Sequence, residues 1–248
     1  MHRFYLAPEN WHADALALTG TEAHHCRNVL RLEPGDKVVL FDGRGRELTA
    51  EITSADAAQI QLRKLHEAQT PPLRCRITLG QAIPKGKNMD LIVQKAVEIG
   101  ASEIAPILSD RTVVRLDEES AASKQAKWQT VAIEAAKQCG QNWLPKVQMP
   151  QTLAQFFQEH RRFDLQLIGS LQSDAVHLKK ILAEYSAEHS DRPASVLMLV
   201  GPEGDFTPAE LSLARSQGCR PITLGPIVLR VETASIYCLS VLSYELLV

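Results

Sequence analysis

Three apolar runs in the second half of the chain each close on a glycine: Leu165-Gln166-Leu167-Ile168-Gly169, Val196-Leu197-Met198-Leu199-Val200-Gly201 and Ile222-Thr223-Leu224-Gly225. They belong to a stretch, from Leu73 onward, in which strand-like and helix-like segments alternate. That alternation specifies an α/β domain with a mainly parallel sheet. Arg76–Ala82 and Ile104–Leu108 read as further strands, while Met89–Ile99, ended by Gly100, and Glu118–Gln138, ending near Gly140, read as helices. In an open α/β sheet, ligands lie against the loops at the carboxyl ends of the strands. Glycine there lets the backbone approach a ligand closely. Any one of these glycines reads equally well as a tight turn. Three in succession, on strands able to be neighbours, point to a backbone-lined pocket.

The helix after the second run carries its own start signal. Thr207-Pro208-Ala209-Glu210 is a capping box with Thr207 as N-cap and proline at the first helical position, and Gly218 closes the helix. The last segment, Glu232–Val248, is apolar on nearly every side, and such a helix needs cover all round. A second subunit is one source of that cover.

Residues 3–65 read differently, as short strands at Arg3–Leu6, Lys37–Phe41, Glu47–Thr53 and Gln59–Leu65. Glu33-Pro34-Gly35-Asp36 and Asp42-Gly43-Arg44-Gly45 supply turns, the second a hairpin tip carrying Arg44 and Arg46. Glu67-Ala68-Gln69-Thr70-Pro71-Pro72 then breaks the pattern, since paired prolines lack amide donors. The expected division is therefore a small β-domain over residues 1–70 and an α/β domain over 71–248.

Composition leaves the partner open. The chain of 248 residues is 45% hydrophobic and 23% charged, with a net charge of −2, so it carries no global attraction for nucleic acid. A whole-chain sum hides local clusters, however. Residues 74–115 hold seven basic side chains (Arg74, Arg76, Lys85, Lys87, Lys95, Arg111, Arg115) against four acidic ones (Asp90, Glu98, Glu103, Asp110). Arg27 and Arg31 form a second short basic stretch. A solvated mixed-charge face fits these counts as well. No apolar run approaches the ~20 residues that span a bilayer, and Met1–Leu6 lacks the apolar stretch of a secretory signal. Cys26, Cys75, Cys139, Cys219 and Cys238 are scattered without a C-x-x-C, which suits free thiols in a reducing cytoplasm. His24-His25-Cys26 has no partner pair at ligand spacing, so no metal site is expected. Dinucleotide, phosphate-loop and nucleophile-elbow motifs are absent.

Two segments remain: Gly201-Pro202-Glu203-Gly204-Asp205-Phe206-Thr207, and Leu224-Gly225-Pro226-Ile227-Val228-Leu229-Arg230-Val231-Glu232-Thr233-Ala234. They resemble the signature loops of the SPOUT-superfamily 16S ribosomal RNA (uridine-N3) methyltransferases, the RsmE family. His24–Leu32, Met89–Arg115 and Gln138-Cys139-Gly140-Gln141-Asn142 are similar to further segments of that family, in the same order along nearly the whole chain. The resemblance implies a PUA-like β-barrel that holds RNA, followed by an α/β domain with a deep trefoil knot, a rarity that no pattern argument proposes. It implies a homodimer with the knot at its interface. It also implies S-adenosylmethionine-dependent methylation of N3 of a uridine near the decoding site of the small ribosomal subunit.

By the same resemblance the methyl donor is held by Gly169-Ser170-Leu171, by Val200-Gly201-Pro202-Glu203-Gly204 and by Leu224-Gly225-Pro226-Ile227-Val228-Leu229. These loops, read as uncharged, suit it: backbone groups read the adenine edge and apolar side chains enclose the ring. Asp205 stands where a second glycine is common, Ile227 and Gln141 where arginines are common, and Lys137 where a glutamate is common. Lys137 offers partial compensation for the missing arginines.

Methyl transfer from a sulfonium needs no metal but needs in-line positioning, and uracil N3 carries a proton that must leave. Arg230 is the candidate for stabilising negative charge on the uracil oxygens. Glu203 and Glu232 are candidates for accepting the proton or orienting Arg230. A plain structural role fits each as well, Glu232 in particular as a carboxylate at a helix start. Arg27, Arg31, Arg111, Arg115, Gln141 and Asn142 are the expected RNA contacts. A transfer-RNA substrate on the same fold, and a degenerate RNA-binding shell suggested by Asp205 and Ile227, are the competing readings.

Overall fold

The computed structural model describes residues 1–11, 15–56, 59–112, 116–189 and 191–247. The chain divides into two compact units, Met1–Pro72 with Ile133–Leu144, and Leu73–Ala132 with Pro145–Val248.

The first unit is a five-stranded sheet. Its elements are β1 (His2–Tyr5), β2 (Ala17–Thr19), the short helix α1 (Gly20–His24) continuing into a wide turn over His25–Val29, β3 (Lys37–Phe41), β4 (Arg46–Ala55) and β5 (Gln59–Gln69). The strand order is β1-β3-β4-β5-β2, with β1 parallel to β3 and the other pairs antiparallel. The β3–β4 hairpin forms because Asp42 supplies what its tip lacks: Oδ1 accepts from the amides of Arg44 (2.7 Å) and Arg46 (3.1 Å). Alternating Leu48, Ala50 and Ile52 on β4 meet Phe4, Val38, Leu40 and Leu18 in one core.

Two expectations are corrected here. The ladder is open, with no β1–β2 pairing among the described residues, so hydrogen bonds do not close the expected barrel; Phe4 on β1 and Leu18 on β2 belong to one core cluster. Strand β5 also runs to Gln69, so Glu67-Ala68-Gln69 is paired backbone and only Thr70-Pro71-Pro72 is left to break the strand.

Ile133–Leu144 packs into this unit through polar contacts that no periodicity announces. Asn142 Nδ2 donates to Glu47 Oε2 (3.0 Å) and Thr70 Oγ1 (2.8 Å), and its Oδ1 accepts from Arg3. Trp143 Nε1 donates to the Thr70 carbonyl (3.0 Å). Lys137 is buried, and its Nζ donates to Glu22 (3.1 Å) and Glu134 (2.9 Å). It is therefore committed to an internal ion pair and unavailable to compensate for missing arginines. Burial pushes the Glu22 carboxyl up, against the pull of Lys137.

The second unit is an eight-stranded, all-parallel sheet. In chain order it comprises β6 (Arg76–Ala82), α2 (Asn88–Ile99), β7 (Glu103–Leu108), α3 (Glu118–Cys139, whose last turns belong to the first unit), β8 (Lys146–Val147), β9 (Gln151–Thr152), α4 (Leu153–Gln158) and β10 (Leu165–Gly169). Then follow β11 (Val176–His177), α5 (Leu178–His189), β12 (Ser195–Val200), α6 (Pro208–Ser216), β13 (Arg220–Thr223) and α7 (Val231–Leu246). The strand order is β11-β13-β10-β12-β6-β7-β8, with β9 also on β7. Every residue of β12 is buried, which is why its run reads as continuously apolar rather than alternating. The capping box at Thr207 forms, and Glu210 within it also accepts from Ser109 Oγ (3.1 Å) and the Asp110 amide (3.1 Å). Helix α7 buries Ala234, Cys238, Leu239, Leu242 and Leu246 against α2, β6 and β12, while Tyr237 and Tyr244 stay exposed.

Glu47 makes the first unit sensitive to acid. Burial alone would raise its carboxyl, but hydrogen bonds from Arg3 (2.7 Å) and Asn142 (3.0 Å) outweigh that and hold it below its ordinary 4.5. A carboxyl depressed on folding stabilises above its unfolded value and loses that contribution as pH falls through the folded one. Glu47→Gln should cost ~1 kcal/mol at pH ~7 by urea unfolding, and the gap to the unsubstituted protein should shrink near pH ~3. A gap that does not change with pH would contradict this account.

Candidate functional site

The parallel register sets the carboxyl ends of three strands side by side. Gly169 at the end of β10 is opposite Ile222 of β13, and Ile168 is opposite Leu199 of β12. The loops leaving these strands therefore start at one level and line one cavity of about 730 Å³, within the range of small-molecule sites.

Each loop is shaped by local chemistry. After β10, the Ser170 amide donates to the Ile222 carbonyl (3.0 Å) and the buried Ser170 hydroxyl accepts from the Gln172 amide (3.2 Å). This curls Gly169-Ser170-Leu171-Gln172 along the cavity. After β12, the Asp205 amide donates to the Pro202 carbonyl (2.9 Å) in a turn that puts Asp205 at φ 62. Aspartate tolerates this left-handed conformation, and its Oδ1 accepts from the next amide, Phe206 (2.7 Å). The buried Phe206 ring anchors the turn in the core. After β13, Gly225 adopts φ 111, a conformation L-residues avoid, and Leu224–Leu229 sweeps round the cavity towards α7.

Charged groups converge on the same space. Arg230 is the N-cap residue of α7; its side chain is exposed, and its guanidinium has no partner among the described residues. Glu232 in the first turn accepts at Oε2 from Asn88 Nδ2 (3.2 Å). Glu203 accepts at Oε1 from the Lys85 amide (2.9 Å). The start of α7 is fixed from below by Ser235, whose hydroxyl donates to Gln81 of β6, both fully buried.

The cavity is lined by Gly169, Ser170, Leu171, Val200, Gly201, Pro202, Glu203, Leu224, Gly225, Ile227, Val228, Leu229, Arg230 and Glu232. Gly204 is not in the lining: its carbonyl turns to accept from the Arg111 guanidinium. The lining is also not uncharged, because Glu203, Asp205 and Glu232 all reach it. Asn88, Gln172 and Thr223 belong to it without having been singled out in the sequence. Asn88 follows the end of β6, and the strand-end rule applied there points to it.

The expected RNA contacts fall in both units. In the first unit Arg27 and Arg31 are exposed, Gln141 accepts from the Trp143 amide (3.2 Å), and Asn142 is buried with its amide engaged as described. In the second unit Arg111 is exposed; Arg115 lies outside the described residues. His25 packs against the Phe4 ring, with centroids 6.1 Å apart. No group of three His, Cys, Asp or Glu converges as for a metal among the described residues. No helix among them is long and apolar enough to cross a membrane. Burial pushes the Cys26 and Cys75 thiols up to about 11 and those of Cys219 and Cys238 to about 12, so none of these four is a thiolate nucleophile at neutral pH.

Comparison with known proteins agrees with this anatomy. Residues 71–243 match the RNA methyltransferase domain family and residues 18–65 the RNA methyltransferase PUA domain family. The chain is similar to ribosomal RNA small subunit methyltransferase E of Bacillus subtilis, at 32% identity over 94% of this chain and 91% of the relative. Its fold is similar to a putative methyltransferase of Legionella pneumophila solved with bound SAM (TM-score 0.87, 33% identity, covering 98% and 97% of the two chains). It is equally similar to ribosomal RNA small subunit methyltransferase E of Neisseria gonorrhoeae bound to S-adenosyl methionine (TM-score 0.86, 32% identity, 99% and 98%). With a PUA domain ahead of an RNA methyltransferase domain, the chain belongs to the ribosomal RNA small subunit methyltransferase E family.

Proposed function

We propose that the protein is an S-adenosylmethionine-dependent methyltransferase acting on N3 of a uridine in 16S ribosomal RNA, near the decoding site of the small subunit. The observation that carries this reading is the convergence of three strand-end loops on one cavity lined also by Arg230, whose guanidinium has no partner among the described residues. The donor fits the residues present. The cavity has the right size, backbone groups along Gly169–Leu171 and Leu224–Leu229 suit an adenine edge, and three carboxylates favour a cation. Bound there, the donor supplies a methyl group activated by positively charged sulfur.

The chain's own residues do the rest. Arg230, charged and planar, stabilises the negative charge that develops on the uracil oxygens as N3 loses its proton. Glu232, oriented by Asn88, accepts that proton, and Glu203, held by the Lys85 amide, keeps its loop in place. The turn at Asp205 forms with aspartate itself in the left-handed conformation and its Oδ1 accepting from the Phe206 amide, which favours a working site over a degenerate shell.

A trefoil knot suits a chain whose last strand, β13, inserts between β11 and β10 before α7 returns to β6 and β12. A homodimer suits the exposed Leu171, Ile227, Val228, Tyr237 and Tyr244. Residues 1–70 and 71–248 form the RNA-holding and catalytic domains. Arg27, Arg31, Arg111, Arg115 and Gln141 contact RNA, Asn142 holds its segment to Arg3, Glu47 and Thr70 inside the first unit, and the enzyme works in the cytoplasm.

The direct experiment incubates the protein with labelled donor and small subunits lacking the modification, then maps the label. One labelled uridine N3 in 16S RNA supports the reading, label in transfer RNA instead moves the substrate, and no donor binding rejects it. Arg230→Ala should lower kcat by ~100-fold or more while donor Kd stays within about twofold; an equal loss of donor affinity would remove Arg230 from the chemistry. Gly225→Val, forced to φ 111, should weaken donor binding about tenfold. Calorimetry with the donor alone measures it, and unchanged affinity would separate that loop from donor binding.

A further inference from the structure

The turn Lys85-Gly86-Lys87 leaves the end of β6 and is tied at both sides to acidic residues of the cavity. The Lys85 amide donates to Glu203 (2.9 Å), and the Asn88 side chain donates to Glu232 (3.2 Å). Between these anchors the backbone bulges outward through Gly86 at φ 70, with nothing within 4 Å of where a Cβ would sit. Lys85 and Lys87 are exposed, and neither ammonium has a hydrogen-bond or ion-pair partner among the described residues.

A solvated surface lysine is ordinary, and exposure alone carries nothing. The arrangement of acids around these two is less ordinary. The two acids that anchor the turn, Glu203 and Glu232, accept from the Lys85 amide and the Asn88 side chain and from neither ammonium. Asp90, the next acid along α2, is paired with Lys127. Two exposed ammonium groups, without an ion-pair partner among the described residues, thus belong to a turn tied to a cavity whose lining carries three carboxylates and one guanidinium. Such a lining attracts a sulfonium and repels a phosphate backbone. A nucleic-acid strand can deliver a base to it only where nearby cations offset that repulsion.

We infer that Lys85 and Lys87 form a phosphate clamp that grips the RNA backbone next to the reacting nucleotide. This rests on the methyltransferase reading above and adds residues to it. Anchoring through Glu203 and Glu232 gives the clamp a fixed place relative to Arg230, so phosphate binding and base positioning act together. The same ammonium groups could instead serve the carboxylate of the methyl donor, and the experiment separates the two.

The test compares Lys85→Gln/Lys87→Gln with the unsubstituted protein and with Lys85→Arg/Lys87→Arg, all full length. Affinity for protein-free small-subunit ribosomal RNA is measured across a salt series, donor affinity by calorimetry, and methyl transfer at varied RNA. The glutamine pair should reduce the slope of log affinity against log salt by about 1.4, roughly 0.7 per lost contact. It should raise the KM for RNA on the order of tenfold, leaving donor Kd and kcat within about twofold, and the arginine pair should restore both. An unchanged salt slope overturns the clamp, as does a loss confined to donor affinity. Absence of methyl transfer by the unsubstituted protein would count against the methyltransferase reading, while the salt slope would still decide the clamp.

Discussion

The site depends on one constraint, the parallel in-register pairing of β13, β10, β12 and β6. Pro221, Ile168, Leu199 and Gly80 lie on one rung, so the strands stop within a residue or two of a common level. An antiparallel neighbour at any of these places would send its loop to the opposite edge of the sheet. Because all run the same way, the loops after β10, β12 and β13 emerge together, and their main-chain groups face one volume. Burial enforces the register: Leu167, Ile168 and the whole of β12 are fully or almost fully buried, and a one-residue slip would exchange their faces.

Apolar packing alone does not fix where the charged groups stand, and buried polar contacts do that work. Ser235 and Gln81 meet in a space sealed from water, where an unpaired hydroxyl or amide is costly. Their bond allows α7 one rotation over β6, and that rotation presents Arg230 and Glu232 to the cavity. Glu210 acts similarly for α6. It caps its own helix and binds the Ser109–Asp110 segment after β7, so the loop between β12 and α6 is held from two directions. A cap on a surface helix is worth ~1 kcal/mol; here it also fixes the position of Pro202–Asp205.

Features governed by local chemistry were legible in the sequence. The Thr207 capping box and the Asp42 turn stabilise themselves within a few residues, and the runs ending at Gly169 and Gly201 are apolar enough to announce buried strands; the third strand is instead Arg220–Thr223, stopping before Gly225. What pattern reading missed depends on partners distant in the chain. Strands β8, β9 and β11 have two residues each and exist only because β7 and β13 offer free edges. Asn142 resembles a candidate RNA contact in sequence, but its partners Arg3, Glu47 and Thr70 lie far back along the chain. Asn88 owes its orientation to Glu232, at the other end of the domain, which no local pattern announces.

The departures from the family pattern have a joint consequence for charge. Aspartate replaces a common glycine at 205 and keeps the turn by adopting the left-handed conformation itself, but it adds a carboxylate to the lining. Isoleucine replaces a common arginine at 227, and with Val228 it leaves that stretch of the mouth apolar, both side chains being more than 70% exposed (74% and 73%). Both changes move the cavity towards negative charge and leave Arg230 as the one cation among its lining residues. A cationic methyl donor is favoured by such a lining. The anionic charge that forms on uracil is not, except within reach of that single guanidinium. On the proposed mechanism, stabilising the reacting base falls on Arg230, and the contacts that hold the start of α7 against β6 matter correspondingly more.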